Sequence, residues 1–180
     1  MSQPSHPAYA TTVVTKRTGA TFPLPSPSLS ESTREGQQSA WQIEAMSDWN
    51  KGIIEEFRAN EGQVGGPFAG APLLLLHTTG AKSGEERVHP VMYRDLGEGS
   101  VAVFASFAGQ PVNPAWYHNL VANPDVSAEI GTGTGEFRAR VADDAERAPI
   151  WEQQKAEYPG FADYERKTDR QIPVVILDPR

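Results

Sequence analysis

The chain has 180 residues, a formal charge of −7 and no cysteine. That length allows one domain with an appendage. An acidic balance without a basic stripe argues against a nucleic-acid partner. The missing cysteines exclude disulfides and thiol nucleophiles, and they fit a reducing cytoplasm.

The first forty residues are crowded with Ser, Thr and Pro and hold few large apolar groups. Such a segment cannot bury enough surface to offset the entropy of ordering it, so disorder is expected. It also lacks the continuous apolar core of a secretory signal. Residues 1–45 read as a disordered leader or an over-extended start, and 46–180 as the folded domain. Met46, Trp49, Ile53, Ile54 and Phe57 recur at helical spacing with charged residues between them, which predicts an amphipathic helix. Its apolar stripe serves either as core packing or as a lid over a hydrophobic substrate. The acidic face leaves at most a weak peripheral membrane contact. A loop rich in Gly and Pro follows, from Gly62 to Pro72.

Strands are expected at Leu73–Thr79, Arg87–Asp95, Val101–Phe107, Val126–Gly131, Glu136–Ala142 and Val174–Leu177. The aliphatic run Leu73 to Leu76 is far too short to cross a bilayer. A short helix is predicted with Asn113 as N-cap and Pro114 first inside, ending near Ala122 ahead of Pro124. A longer one spans Asp144 to Tyr158, where Pro149 invites a kink. Six strands and few helices define a mostly β (α+β) fold, a small antiparallel barrel with flanking helices.

Between the first two strands lies Thr78-Thr79-Gly80-Ala81-Lys82-Ser83-Gly84, running on to Arg87. Successive amides in such a turn form a concave nest, and two cations beside it favour an anion. The pattern is not a nucleotide-triphosphatase phosphate loop, because Gly80 stands only two residues before Lys82. Further on, the small residues at 105–109 let a flat ligand approach the backbone. Trp116 and Tyr117 can stack, and the helix start offers unpaired donors. His77, His89 and His118 fall on separate elements, so no metal site is expected.

In order, Leu74 to Gly84, Arg87 with Pro90, Ala105-Ser106 with Gly109 and Pro111, and Pro114 to Leu120 with Asn123-Pro124 form one motif set. It ends in Tyr158-Pro159, Tyr164, Thr168-Asp169-Arg170 and Ile172-Pro173. The set resembles the deazaflavin-dependent nitroreductase family, also called the coenzyme F420-dependent quinone reductases. The resemblance covers roughly Trp49 to Pro179 and implies the split β-barrel of flavin reductases. It further implies hydride transfer from reduced coenzyme F420 to a small-molecule acceptor: a quinone, an enone or a nitroaromatic.

The family's cofactor carries a phosphodiester and a polyglutamate tail. The resemblance places Ala81, Lys82, Ser83 and Arg87 at that tail. It sets Val88, His89, Pro90, Val91 and Met92 along one side of the cofactor, and Phe104, Ala105, Ser106 and Phe107 by the ring. Ala115, Trp116, Tyr117, His118 and Asn119 form the other wall, and Phe161 closes over the ring. Ser106, Tyr158 and Tyr164 match positions near the family's substrate pocket, from which any of them could donate or relay the proton that the acceptor needs. The chain departs from the family at Phe107 and Ala108, where a small or polar residue and a glycine are common. Phe161 replaces a frequent tyrosine, and His89 stands where Thr or Asn is usual. Two other readings stay open: the same barrel using FMN, and a non-catalytic carrier of deazaflavin or another hydrophobic ligand. Homodimerisation is open, and the expected location is the cytoplasm or the inner membrane face.

Overall fold

The computed structural model describes residues 48–180. The expected leader and Met46 lie outside the described residues. Helix α1 covers 48–59. Strands β1 (Leu73–Thr79), β2 (Glu86–Gly97) and β3 (Ser100–Phe104) follow, then α2 (Ala115–Ala122), β4 (Asp125–Ile130) and β5 (Gly133–Val141). Helices α3 (Asp144–Glu157) and α4 (Gly160–Arg166) lead to the closing strand β6 (Val174–Pro179).

The strands form a closed antiparallel barrel in the order β1-β2-β3-β6-β5-β4, with β4 pairing back onto β1. Side chains on a strand alternate between faces, so each strand feeds two environments. One face of all six fills the barrel: Leu74 and Leu76, Val101 and Val103, Val126 and Ala128, Phe137 and Ala139, Val175 and Leu177, with Val91 and Tyr93 at its margin. Trp116 and Leu120 of α2 join this core and plug one mouth.

The outer face is covered in two places. Ile53 and Phe57 of α1 lie on Leu73 and Leu75. Trp151 of α3 and Phe161 of α4 lie on Ala102, Phe104, Val174 and Ile176. Met92 packs against both outer clusters and marks the floor between them.

The predicted barrel of six strands is therefore observed, with shifts at element ends. The third strand stops at Phe104 rather than Phe107, because Phe107, Ala108 and Gly109 adopt positive φ values of 45°, 51° and 80° and cannot continue a ladder. The β4–β5 connection shrinks to a two-residue hairpin, with Gly131 at φ 58°. Asn113 is not the cap of α2: Pro114 holds that position, with no side-chain cap bond, while Asn113 is engaged elsewhere. Helix α3 starts as expected, on an Asp143–Glu146 capping box, and runs through Pro149. Helix α4 was not anticipated. It has seven residues and no side-chain cap, so no start signal announces it. Among the described residues no helix is long and apolar enough to cross a membrane.

Candidate active site

The β1–β2 turn is tightly tied. Gly80 N–H donates to the Glu85 carbonyl and Gly84 N–H to the Gly80 carbonyl, each at 2.8 Å. Glu85 N–H donates to Ser83 Oγ at 3.3 Å, and Ala81 N–H to Asn119 Oδ1 at 3.0 Å. A Cβ at Gly80 would stand 2.5 Å from Ser83 Oγ, so a larger residue there would displace the hydroxyl that accepts from Glu85. The nest is thus narrower than predicted. Among the described residues, only the neighbouring amides of Lys82 and Ser83 lack an intramolecular acceptor in this turn.

Both cations belong to the same short stretch of chain as that pair of amides. Lys82 is exposed within the turn. Arg87 pairs with Thr78 in register, as the second residue of β2. Its guanidinium donates to Glu85 at 2.6 Å, with both side chains more than half exposed. That pair is worth little in water, so Arg87 can exchange Glu85 for a ligand anion at small cost.

Asn119 differs from its predicted role. Its side chain is only 9% exposed, and its Nδ2 donates to Thr78 Oγ1 at 3.1 Å while its Oδ1 holds Ala81. It bolts α2 to the turn instead of facing a ligand. Trp116 is 7% exposed inside the barrel mouth and offers no stacking face. On α2 Ala115 and His118 are exposed, one turn apart, with Tyr117 half-buried beside them, and Val121 and Ala122 are exposed at the far end of the helix.

Strand alternation also divides the predicted run on β2. Val88 and Met92 pack outward, against the cluster under α1, and Pro90 shares their parity. Val91 points into the barrel core, and His89, opposite Leu76, shares that inner face. His89 and Val91 therefore meet an outer ligand only through their backbone. Burial, reinforced by the Arg87 charge, lowers the His89 pKa to about 4, and its Nε2 is buried with no hydrogen-bond partner. The imidazole is neutral at physiological pH.

Phe104, Ala105, Ser106 and Phe107 lead from β3 into the strained turn. Ala105 is fully buried, whereas Ser106 and Phe107 are half-buried. Arg170 braces this segment, donating to the carbonyls of Ala105 and Ser106 at 3.0 and 2.9 Å, to that of Gln110 at 2.9 Å and to Asn113 Oδ1 at 2.7 Å. Sequence reasoning missed this brace, because nothing local to a lone arginine points to acceptors some sixty residues away.

Tyr158 and Tyr164 are half-buried at the edge of the cluster that includes Met92. Tyr164 packs edge-on to Phe161 at 5.6 Å. Phe161 is 6% exposed and also packs on Phe104 and Trp151. It is packed within the outer cluster and does not stand open.

Two other features are distinct from this region. His77 lies on the outer face with Glu86 Oε1 at 2.5 Å from Nδ1 and Glu129 Oε1 at 2.8 Å from Nε2. Glu129 also accepts from Arg58, whose hydrogen bond is the main cause holding its carboxyl below the usual range. The cluster stitches α1 to β1, β2 and β4. Among the described residues no group of side chains could hold a metal ion. A separate hollow of about 520 Å³ lies between the β2–β3 hairpin and α3, but Arg140 there is already paired with Glu146 and Asp178.

A six-stranded antiparallel barrel with a Gly-, Lys- and Arg-bearing turn at one mouth and two apolar clusters on its outer face is a frame that can hold a flat molecule with an anionic tail. A family model described as F420H(2)-dependent quinone reductase matches residues 49–179. The chain belongs to that family. The F420H(2)-dependent quinone reductase Rv1261c of Mycobacterium tuberculosis is 38% identical over 128 residues, covering 69% of this chain and 85% of the relative. A solved F420-H2 dependent reductase superposes with a TM-score of 0.55 at 42% identity, over 59% of this chain and 94% of the other. Another solved structure, described as a domain-swapped dimer, gives a TM-score of 0.56 at 36% identity, over 78% of this chain and 99% of the other.

Proposed function

We propose that this protein uses reduced coenzyme F420 to reduce a quinone, an enone or a nitroaromatic. The observation that carries the reading is the turn: the amides of Lys82 and Ser83, without an acceptor among the described residues, in the same short stretch as the cations Lys82 and Arg87, at the start of β2. The cofactor fits these residues. An anionic tail answers the amides and cations, and a flat ring answers Val88, Pro90 and Met92 beside the small-residue segment at 105–109. When bound, the deazaflavin supplies the hydride.

The chain's own residues do the rest. Lys82, Ser83 and Arg87 hold the tail through charge-assisted hydrogen bonds. Met92 and the apolar clusters on either side of it exclude water. Ser106, Tyr158 and Tyr164 are the proton-bearing groups bordering the groove. A tyrosine hydroxyl has an ordinary pKa of about 10, so its role is to polarise the acceptor's oxygen and pass on a proton. The half-buried Phe107 narrows the acceptor side of the groove.

Residues 46–180 form the reductase domain in this reading, supported by the span of the family match. The enzyme acts in the cytoplasm, which cell fractionation tests. A homodimer is part of the proposal, supported by the similar structure described as a dimer; sedimentation tests it. The central experiment is titration of the purified protein with F420. Micromolar or tighter binding is expected. Lys82→Ala and Arg87→Ala should each weaken it about tenfold, the size of one charge-assisted bond. No binding would remove the proposal.

A further inference from the structure

We propose that Arg170 is the positioning residue that sets the shape of the 105–113 segment against the cofactor ring, an inference that rests on the deazaflavin reading above. A guanidinium has five N–H donors in a rigid fork. Four are used here, on the carbonyls of Ala105, Ser106 and Gln110 and on Asn113 Oδ1. All four acceptors are neutral, and they bracket the segment from its first residue to its last. Such a pattern serves geometry, since no carboxylate is among these partners.

The segment requires a brace. Phe107 and Ala108 both adopt left-handed backbone, at φ 45° and 51°, ahead of Gly109 at 80°. A residue with a Cβ is disfavoured in that region, and strain of this kind persists only where surroundings over-determine it. Inside the turn only two bonds support it, Gly109 N–H to Ser106 at 2.9 Å and Gln110 N–H to Phe107 at 3.0 Å. Arg170 grips the carbonyls just before and just after the strained residues. On the far side, a Cβ at Gly109 would lie 2.8 Å from Lys167 Cβ and 2.9 Å from the Tyr164 carbonyl, so the turn is pressed onto the end of α4.

Through Asn113 the same guanidinium also reaches the residue just ahead of the α2 cap, and Asn119 of α2 fixes the tail-binding turn. Arg170 thereby couples the ring end of the groove to the tail end. Lysine cannot replace it, because a point-charge ammonium lacks the planar fork.

Two measurements test this on the full chain. The first is hydrogen exchange of the Gly109 and Gln110 amides in ligand-free protein. Arg170→Lys should speed both about tenfold, the loss of one or two net hydrogen bonds, while Leu76 in β1 stays protected. The second compares F420 with its ring fragment lacking the anionic tail. Arg170→Lys should weaken both by the same factor, about tenfold, and lower kcat more than it raises the acceptor KM. Adding Ala108→Gly to Arg170→Lys should restore part of the ring affinity by relieving strain, which a general loss of stability would not allow. Unchanged exchange at Gly109 and Gln110 overturns the brace. Weakened binding of F420 with unchanged binding of the fragment overturns the ring assignment. If the unmutated protein binds neither ligand, the deazaflavin reading fails, and the exchange data still judge the brace.

Discussion

Acidification should destabilise the fold through His89 in a window that no other assigned group occupies. Free histidine titrates near pH 6.5. In the folded chain, burial and the Arg87 charge bring His89 down to about 4. A base with a lowered folded pKa leaves the unfolded chain to take up the proton first. Stability is therefore fully present above about pH 6.5 and is lost as pH falls toward 4. At about 1.4 kcal/mol per pH unit, the loss between pH 7 and pH 5 integrates to about 2 kcal/mol. Glu129, Glu146, Glu165 and Asp178 also have lowered values, held down by ion pairs and hydrogen bonds. Their contributions are lost as pH falls through the ordinary carboxylate values, about 4–4.5, toward the lower folded ones, so they change little between pH 7 and pH 5. The assay is urea unfolding at pH 7 and pH 5 for the unmutated protein and for His89→Asn, which installs a residue usual in the family. The unmutated protein should lose about 2 kcal/mol more than the variant. Equal losses would show that His89 is not buried as described.

Other perturbations have outcomes of defined sign. Asn119→Ala leaves the Ala81 amide unpartnered and removes the bond that the Thr78 hydroxyl accepts, and should cost about 1–3 kcal/mol in a denaturant melt; it should also weaken F420 binding by loosening the turn. Ala108→Gly removes a side chain from left-handed backbone and should raise stability by about 1 kcal/mol, read as a higher melting temperature. Glu85→Gln releases Arg87 from an exposed pair and should tighten F420 binding about threefold at low salt, with the gain fading as salt is added.

The barrel was legible in the sequence because its signals are local. Alternating or aliphatic runs bounded by Gly, Pro and Asn marked all six strands, and β1 falls on its predicted limits, Leu73 to Thr79. Lys82 and Arg87 were legible because a turn and its cations are adjacent in the chain. The interior directions were not. The resemblance treated 88–92 and 115–119 as continuous walls, whereas strand pleat and helix rotation turn His89, Val91, Trp116 and Asn119 inward. The Asn119 and Arg170 networks were also unreadable, since each joins segments far apart in sequence. Phe161 was read as a flap because its aromatic character was visible while its cover by Phe104 and Trp151 was not.

The pleat of β2 has one more consequence. Because successive residues serve opposite sides of the same ribbon, a substitution scan from 88 to 93 should split into two interleaved series. Odd positions, which look into the barrel, should register in melting temperature; even positions, which look onto the groove, should register in ligand affinity. Evolution can therefore retune what this enzyme reduces along the very strand that keeps it folded, one side at a time.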